Sequence, residues 1–241
     1  MSDNANPPPD DPGKKGFFES LKDSFRPLGD SEQIKKSQGM TKFFVAINRG
    51  NADEIKELIK KQGFDPDCYN LGGMGALHQA VILGKADIVG LLLDLGATPD
   101  LPARSMDCIT PMALAVEKGR ADLVRLLAEN GADIYRKGAS GWTYIHQATE
   151  KNDPDMIRAL IACGLDPCVA SEGSATPLEM AVARTKREAV DALLSDPRVA
   201  QQALDDKTGA LAITIAESGD FELTRLFIKA GFPVNDRDNK G

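Results

Sequence analysis

Residues 119–133 read Gly119-Arg120-Ala121-Asp122-Leu123-Val124-Arg125-Leu126-Leu127-Ala128-Glu129-Asn130-Gly131-Ala132-Asp133. Their apolar residues recur at the spacing of one helical face, and Gly131 follows them where a left-handed residue ends a helix. The preceding Thr110-Pro111-Met112-Ala113 places a capping threonine before a proline, which is tolerated in a first helical turn. The stretch therefore predicts two short helices, each with its own start or stop signal.

The same signals recur along the chain. Segments equivalent to the one at Thr110 begin at Gly75, Thr110, Thr143, Thr176 and Gly209, 33 to 35 residues apart. Glycines equivalent to Gly131 close the second helices at Gly96, Gly131, Gly164 and Gly231, and a degenerate first copy runs from Thr41 to Gly63. One such unit cannot bury its own apolar face, so several copies are expected to stack around a continuous core.

These repeats resemble the ankyrin-repeat family. The family's Thr-Pro-Leu-His signature is approximated by Gly75-Ala76-Leu77-His78, Thr110-Pro111-Met112-Ala113, Thr143-Tyr144-Ile145-His146 and Thr176-Pro177-Leu178-Glu179. The resemblance implies an all-α ankyrin-repeat solenoid of about six stacked helix-turn-helix repeats with short hairpin loops, covering residues 41–241. It also implies that His78 and His146 form hydrogen bonds within and between repeats, which is a structural role.

Two copies depart from the pattern. The fifth copy lacks the closing glycine, because residues 193–204 contain none. This predicts a reshaped loop with an extra helical turn. The sixth copy starts at Gly209 without Thr-Pro, and its second helix keeps the apolar residues of an internal repeat at 221–228. We therefore expect either further repeats past residue 241 or an end that a partner covers.

The first 40 residues differ from the repeats. Pro7-Pro8-Pro9 predicts a disordered leader, because consecutive prolines remove backbone donors and fix φ. Within it, a short amphipathic segment carries Phe17, Phe18, Leu21 and Phe25 on one helical face. This segment has three interpretations: a cap on the first copy, a docking peptide and, least favoured because Glu19 and Asp23 offset the basic residues, a membrane contact.

Composition excludes several classes of function. The net charge of −7 disfavours nucleic acid as a partner, because phosphate contacts need a basic surface. The chain contains neither 18 consecutive apolar residues nor a signal peptide, which favours a cytoplasmic protein with little membrane contact. Secretion as an effector without a cleavable signal stays open. In a reducing compartment the four cysteines are expected to be free thiols, mostly buried.

The sequence contains no recognisable catalytic or metal-binding motif. Only two histidines occur, each at a scaffold position, and Cys163 and Cys168 have neither redox nor zinc spacing. Gly72-Gly73-Met74-Gly75 lacks the lysine and hydroxyl residue of a phosphate loop. We therefore predict a protein that is not an enzyme and holds neither a cofactor nor a metal.

The surface is the remaining candidate for function. The residues just before each signature are Met74, Ile109, Trp142 and Ala175, and the first three predict an apolar stripe on the concave face of the solenoid. Such large side chains dominate affinity at interface centres. For Met74 and Ile109, packing into the hairpin stack is an equally good alternative, whereas binding is favoured for Trp142.

The ends of the first helices would flank this stripe. They contribute an apolar pair, Ile82 and Leu83, and two charged pairs, Glu117 with Lys118 and Glu150 with Lys151. The sequence thus predicts a non-catalytic module that binds a protein partner of unknown identity on its concave face. The alternative is the targeting or substrate-recognition part of a larger enzyme or secreted effector, truncated at residue 241. The oligomeric state stays open.

Overall fold

A computed structural model describes residues 31–104, 108–138, 141–173, 175–205 and 209–232, with side chains from residue 38 onward. All regular elements in these ranges are helices. They are α1 (Ser31–Arg49), α2 (Ala52–Gln62), α3 (Ala76–Ile82), α4 (Ala86–Asp94), α5 (Pro111–Glu117), α6 (Ala121–Glu129), α7 (Tyr144–Glu150), α8 (Pro154–Ala162), α9 (Pro177–Ala183), α10 (Arg187–Leu194), α11 (Pro197–Leu204), α12 (Ala210–Ser218) and α13 (Phe221–Lys229).

The helices from Gly75 onward form two layers. The first helices of successive copies, α3, α5, α7, α9 and α12, each pack against the next in that order. The second helices, α4, α6, α8, α10 and α13, do the same in the other layer. Each copy thus buries its apolar faces against its neighbours, as stacking of incomplete units requires. The predicted all-α repeat architecture is confirmed.

Local capping chemistry explains where these helices begin and end. The Thr110 hydroxyl accepts the Ala113 N–H at 3.3 Å, and the equivalent Thr176 hydroxyl accepts the Glu179 N–H at 3.2 Å. After the second helices, Gly131 has φ 85°, a left-handed conformation that a side chain would disfavour. The predicted start and stop signals therefore act as the sequence indicates.

Leucines at one recurring position fill the core of the second-helix layer. Leu92, Leu127, Leu160 and Leu193 each have 0% of their surface exposed. Burying such a side chain fully contributes about 1.5–3 kcal/mol, so a thin core without many rings still stabilises the stack. At the same place in the sixth copy, Phe227 is 3% exposed.

Hydrogen bonds between neighbouring copies fix the register of the loops. Asp67 Oδ1 accepts the Thr98 N–H at 2.8 Å, and one copy later Asp100 Oδ2 accepts the Asp133 N–H at 2.9 Å. The residues of each pair are 31 and 33 positions apart in the chain. A carboxylate in one loop therefore ties down the backbone of the next loop.

The extra helical turn predicted for the fifth copy is present and is longer than predicted, because α11 has eight residues. The Asp196 side chain caps it by accepting the Arg198 N–H at 2.9 Å, and Pro197 occupies its first turn. The helix packs on α10 through its buried Val199. The missing glycine therefore allows the chain to form an additional turn-and-helix segment before the sixth copy.

The amino-terminal boundary differs from the prediction. Helix α1 starts at Ser31, so residues 31–40 are helical where the sequence predicted a disordered leader. Their glutamate, lysine and glutamine residues favour helix without forming an apolar stripe, which is why the apolar pattern missed them. The chain divides into two compact units between Lys42 and Phe43. The amphipathic segment around Phe17 and the end of the chain after residue 232 lie outside the described residues.

Candidate functional site

The four residues that precede the signatures occupy equivalent places in the hairpin loops. Each one's carbonyl oxygen accepts a hydrogen bond from a backbone N–H across its own hairpin. The pairs are Met74 with Asn70 at 2.8 Å, Ile109 with Ala103 at 2.9 Å, Trp142 with Gly138 at 2.8 Å and Ala175 with Ser171 at 2.9 Å. The backbone positions are therefore the same, and only the side chains distinguish one copy from another.

Trp142 lies in a cluster with two neighbouring side chains. Its half-buried ring stacks near the His146 ring, with centroids 6.3 Å apart and planes 23° from parallel. The Arg184 guanidinium carbon is 5.6 Å from the centroid of the Trp142 ring, within the range of a cation–π contact. Arg184 also forms an ion pair with Glu150 of the preceding copy. These contacts hold the tryptophan at the surface.

A cavity of about 450 Å³ opens beside Trp142. Its apolar walls come from Trp142, Ala175, Met180, Ala183, Ala210 and Leu211. Ser171, Glu179, Arg184 and Thr214 supply its polar groups. The lining residues thus belong to the fourth, fifth and sixth copies, on the side of the first helices. We call this feature the Trp142 cavity.

Small residues in the fifth copy account for the space. Position 175 carries alanine where the preceding copies carry Trp142, Ile109 and Met74. Position 183 is also alanine, although the equivalent residue in the fourth copy is Glu150. Both alanines line the Trp142 cavity. The cavity therefore occurs where the fifth copy lacks the larger side chains of its neighbours.

His146 contacts the residues of the site through hydrogen bonds and through the Trp142 ring. Its Nε2 lies 3.3 Å from the Ala175 carbonyl oxygen, so it carries the proton, and Nδ1 accepts from the Thr143 hydroxyl at 3.0 Å. Burial lowers the pKa of His146, more than its hydrogen bond to the carbonyl raises it. The neutral ring therefore joins two copies, which confirms the structural role expected for it.

His78 makes the equivalent bond between copies but lacks the local one. Its Nε2 lies 2.9 Å from the Ile109 carbonyl oxygen, and burial lowers its pKa. Among the described residues, no group bonds to its buried Nδ1. Gly75 stands where the fourth copy has Thr143, so the hydroxyl that would serve Nδ1 is missing.

The other residues of the predicted stripe differ in accessibility. Met74 is only 8% exposed, which agrees with packing into the hairpin stack and not with the other interpretation, an accessible place in the stripe. Ile109 is half-buried. Ile82 and Leu83 are exposed, at 40% and 39%, but they do not line the Trp142 cavity.

The predicted charged pairs lie at the ends of α5 and α7. Glu117, Lys118 and Lys151 are exposed, and Lys151 Nζ donates to the Glu117 carbonyl oxygen at 2.5 Å. Glu150 is half-buried and its carboxylate is paired with Arg184, next to the Trp142 ring. The structure thus brings Trp142 and Glu150 together and leaves the other charges along the face.

The cavity includes residues that the sequence analysis did not select. Met180 and Leu211 are buried side chains that line it, and Thr214 of α12 lines it as well. No local motif marks these positions. The sequence feature that could have predicted the cavity is the pair of alanines at 175 and 183, where the preceding copies have larger residues.

Other chemistry is limited in the described residues. No cluster of three or more histidine, cysteine or acidic side chains there could hold a metal ion, and no helix there has the length and apolar character to cross a bilayer. The four cysteines are free, but the expectation that most are buried is wrong: Cys108 is exposed and the other three are half-buried. Burial, followed by the charge of Asp65, raises the pKa of Cys68 to about 11.

Comparison with known proteins agrees with this architecture. A family model described as "Ankyrin repeats (3 copies)" matches residues 15–103 and 102–171. The chain belongs to the ankyrin-repeat family. Ankyrin repeats are a protein-interaction module, so the family places function at a surface.

Three relatives illustrate the range of proteins that contain similar repeats. Protein phosphatase 1 regulatory subunit 27 of Mus musculus is 36% identical over 138 residues, which is 57% of this chain and 67% of the relative. The B-cell lymphoma 3 protein homolog of Mus musculus is 33% identical over 163 residues, which is 66% of this chain and 36% of the relative. Glycerophosphocholine phosphodiesterase gde1 of Schizosaccharomyces pombe is 33% identical over 122 residues, which is 49% of this chain and 11% of the relative. The chain thus spans well under half the length of two of these relatives.

Proposed function

We propose that this ankyrin-repeat chain is a non-catalytic module that binds a protein partner on its concave face, centred on Trp142. One observation carries the proposal: the chain's only tryptophan lies half-buried beside an open cavity on the first-helix side. Tryptophan and arginine are enriched among the residues that dominate binding energy at interfaces. Here Trp142 and Arg184 form such a pair.

The packing of the stack supports binding at low entropic cost. Residues on both sides of the site are held by capped helices and by bonds between copies, such as the one from His146 to Ala175. A preorganised surface loses little conformational freedom on association. The exposed charges of Glu117, Lys118 and Lys151 would form a polar rim that steers and orients the partner.

The relatives support this function in general terms. One of them is named as a regulatory subunit of protein phosphatase 1. The match covers 67% of that relative's length. We infer from this a regulatory or scaffolding role for the present chain, with the partner still to be identified.

A second candidate function is the targeting or substrate-recognition part of a larger enzyme. It is favoured by the match to a protein named as a glycerophosphocholine phosphodiesterase, of whose length the matched region is 11%. Sequencing the transcript downstream of codon 241 separates the two functions. An open reading frame continuing into a catalytic domain would support the enzyme, whereas a stop codon would support the independent module.

Charge and thiol chemistry support the remaining parts of the proposal. The net charge of −7 disfavours nucleic acid as a partner. Four free cysteines are typical of a protein kept in a reducing compartment, so we place the protein in the cytoplasm. The partner is therefore a protein present in that compartment.

The proposal is tested by affinity capture from the cells that make this protein, with two variants. Trp142→Ala removes the proposed anchor, and Tyr135→Ala removes an aromatic side chain that is 62% exposed and does not line the cavity. We expect partners that the unmodified chain and Tyr135→Ala capture equally and that Trp142→Ala loses. Equal capture by all three proteins would contradict the proposal.

A further inference from the structure

We propose that the Trp142 cavity takes a large uncharged side chain from the partner, which fills the place left by the small Ala175. This inference rests on the proposed function, because it specifies what the partner presents to the face that binds it. It differs from a general claim of concave-face binding, because it assigns one cavity and the chemistry of one occupant. The occupant is an aromatic or branched aliphatic side chain.

The series of equivalent residues shows what is missing. In the second, third and fourth copies, the position before the signature carries Met74, Ile109 and Trp142, all of them large and apolar. In the fifth copy the hairpin has the same backbone pairing, from Ser171 N–H to the Ala175 carbonyl oxygen at 2.9 Å. Only the side chain is absent, so an apolar group from outside would complete the series.

The walls of the cavity favour an apolar occupant. Trp142, Met180 and Leu211 offer apolar surface, and the small side chain of Ala183 also lines the cavity. A volume of about 450 Å³ lies within the range of pockets that hold small ligands and apolar anchors. Burying an apolar side chain there would remove apolar surface from water, which favours association.

The charged groups at the cavity argue for an uncharged occupant. Arg184 is paired with Glu150, so its charge is already compensated. The Glu179 carboxylate accepts the Thr176 N–H at 2.8 Å and caps its own helix. Since a charged side chain would have to break one of these bonds or enter unpaired, desolvation disfavours it. Charge complementarity therefore selects a neutral side chain.

The test uses substitutions that fill the cavity from the chain's own side. Ala175→Trp installs the residue that the fourth copy carries at this position, and Ala175→Ile installs that of the third copy. Both types of side chain are thus compatible with the hairpin backbone. Ala162→Trp is the matched control, because Ala162 is exposed on α8 and does not line the cavity. Circular dichroism establishes that each variant folds.

A random peptide library displayed on phage is selected on the full chain, and bound peptides are measured by calorimetry on each variant. We expect enriched peptides to share one aromatic or branched aliphatic residue. They should bind Ala162→Trp as tightly as the unmodified chain, and both Ala175 variants about tenfold more weakly or worse. If Ala175→Trp does not fold, Ala175→Ile alone decides.

Three outcomes overturn the inference: no enriched peptide, an enriched anchor that is charged, or undiminished binding to the folded Ala175 variants. The last outcome is compared with Trp142→Ala. If Trp142→Ala loses the peptides and the Ala175 variants keep them, binding at this face stands and the assigned cavity is wrong. If all these variants keep them, both the inference and the proposed function fail.

Discussion

Replacing Gly75 by serine should give a more stable protein than replacing it by alanine, because serine supplies the hydroxyl that His78 lacks. The fourth copy already contains the contact that the serine would create in the second copy, because the Thr143 hydroxyl lies 3.0 Å from His146 Nδ1. Gly75 has φ −72° and ψ 165°, which any L-residue adopts without strain. A Cβ on Gly75 would lie 3.0 Å from His78 Nδ1, so the new group points toward the unpaired nitrogen.

The magnitude follows from two opposing effects. A buried acceptor without a partner costs about 1–3 kcal/mol, which the serine hydroxyl would recover in part. Against this, the new Cβ would lie 2.9 Å from Leu101 Cδ2 and 3.0 Å from His78 Nδ1, so both the methyl group and the imidazole ring must shift. Gly75→Ala makes the same contact and the same backbone change without a hydroxyl. The difference between Gly75→Ser and Gly75→Ala should therefore be about 1–2 kcal/mol in favour of serine.

The assay is urea unfolding followed by far-ultraviolet circular dichroism at neutral pH, with the free energy of unfolding extrapolated to water. Thr143→Ala is the mirror experiment, because it removes the hydroxyl from His146 and should destabilise by a similar amount. The reasoning is refuted if the serine and alanine variants at Gly75 differ by less than about 0.3 kcal/mol, which is the scale of additivity errors.

Three further predictions concern stability and thiol reactivity. The pKa values of His78 and His146 are lowered in the fold, so the unfolded chain binds more protons in acid. The free energy of unfolding from urea titrations should therefore be constant between about pH 6.5 and about pH 8 and fall as the pH drops below about 6.5. A free energy that stays constant below about pH 6.5 would contradict this. Gly131→Ala should lower the free energy of unfolding by about 1–2 kcal/mol, because φ is 85°. The new Cβ would meet no atom within 4 Å, so this cost comes from the backbone alone. An unchanged unfolding midpoint would contradict the prediction. Iodoacetamide at neutral pH should modify the exposed Cys108 before Cys68, whose pKa is about 11, and mass spectrometry showing the reverse order would contradict the accessibility described.

Much of the fold could be predicted because its determinants are local and repeated. Thr110 and Thr176 cap helices by contacts three residues away, and Gly131 ends a helix by its own conformation. The extra helical turn of the fifth copy was predicted from the missing closing glycine, and it is part of α11. Each of these signals depends on a few neighbouring residues, so it can be predicted from the sequence.

The candidate site was less predictable because it depends on several copies at once. Trp142 and Glu150 were selected, but Met180 and Leu211 join them only when three copies stack. Two interpretations were open for Met74, and the structure shows it buried, whereas Trp142 is half-buried beside the cavity. Whether an apolar residue at this position is accessible depends on how neighbouring copies pack around it, which the sequence pattern does not contain.

The central claim is that the partner covers Trp142, and the indole N–H signal in a heteronuclear NMR spectrum tests it most directly. Because the chain has one tryptophan, this signal reports a single site without assignment. Adding a captured partner to saturation should shift the signal and protect its proton from solvent exchange, as the ring and its cavity lose water. A complex that forms while the indole signal keeps its position and exchange rate would contradict the account.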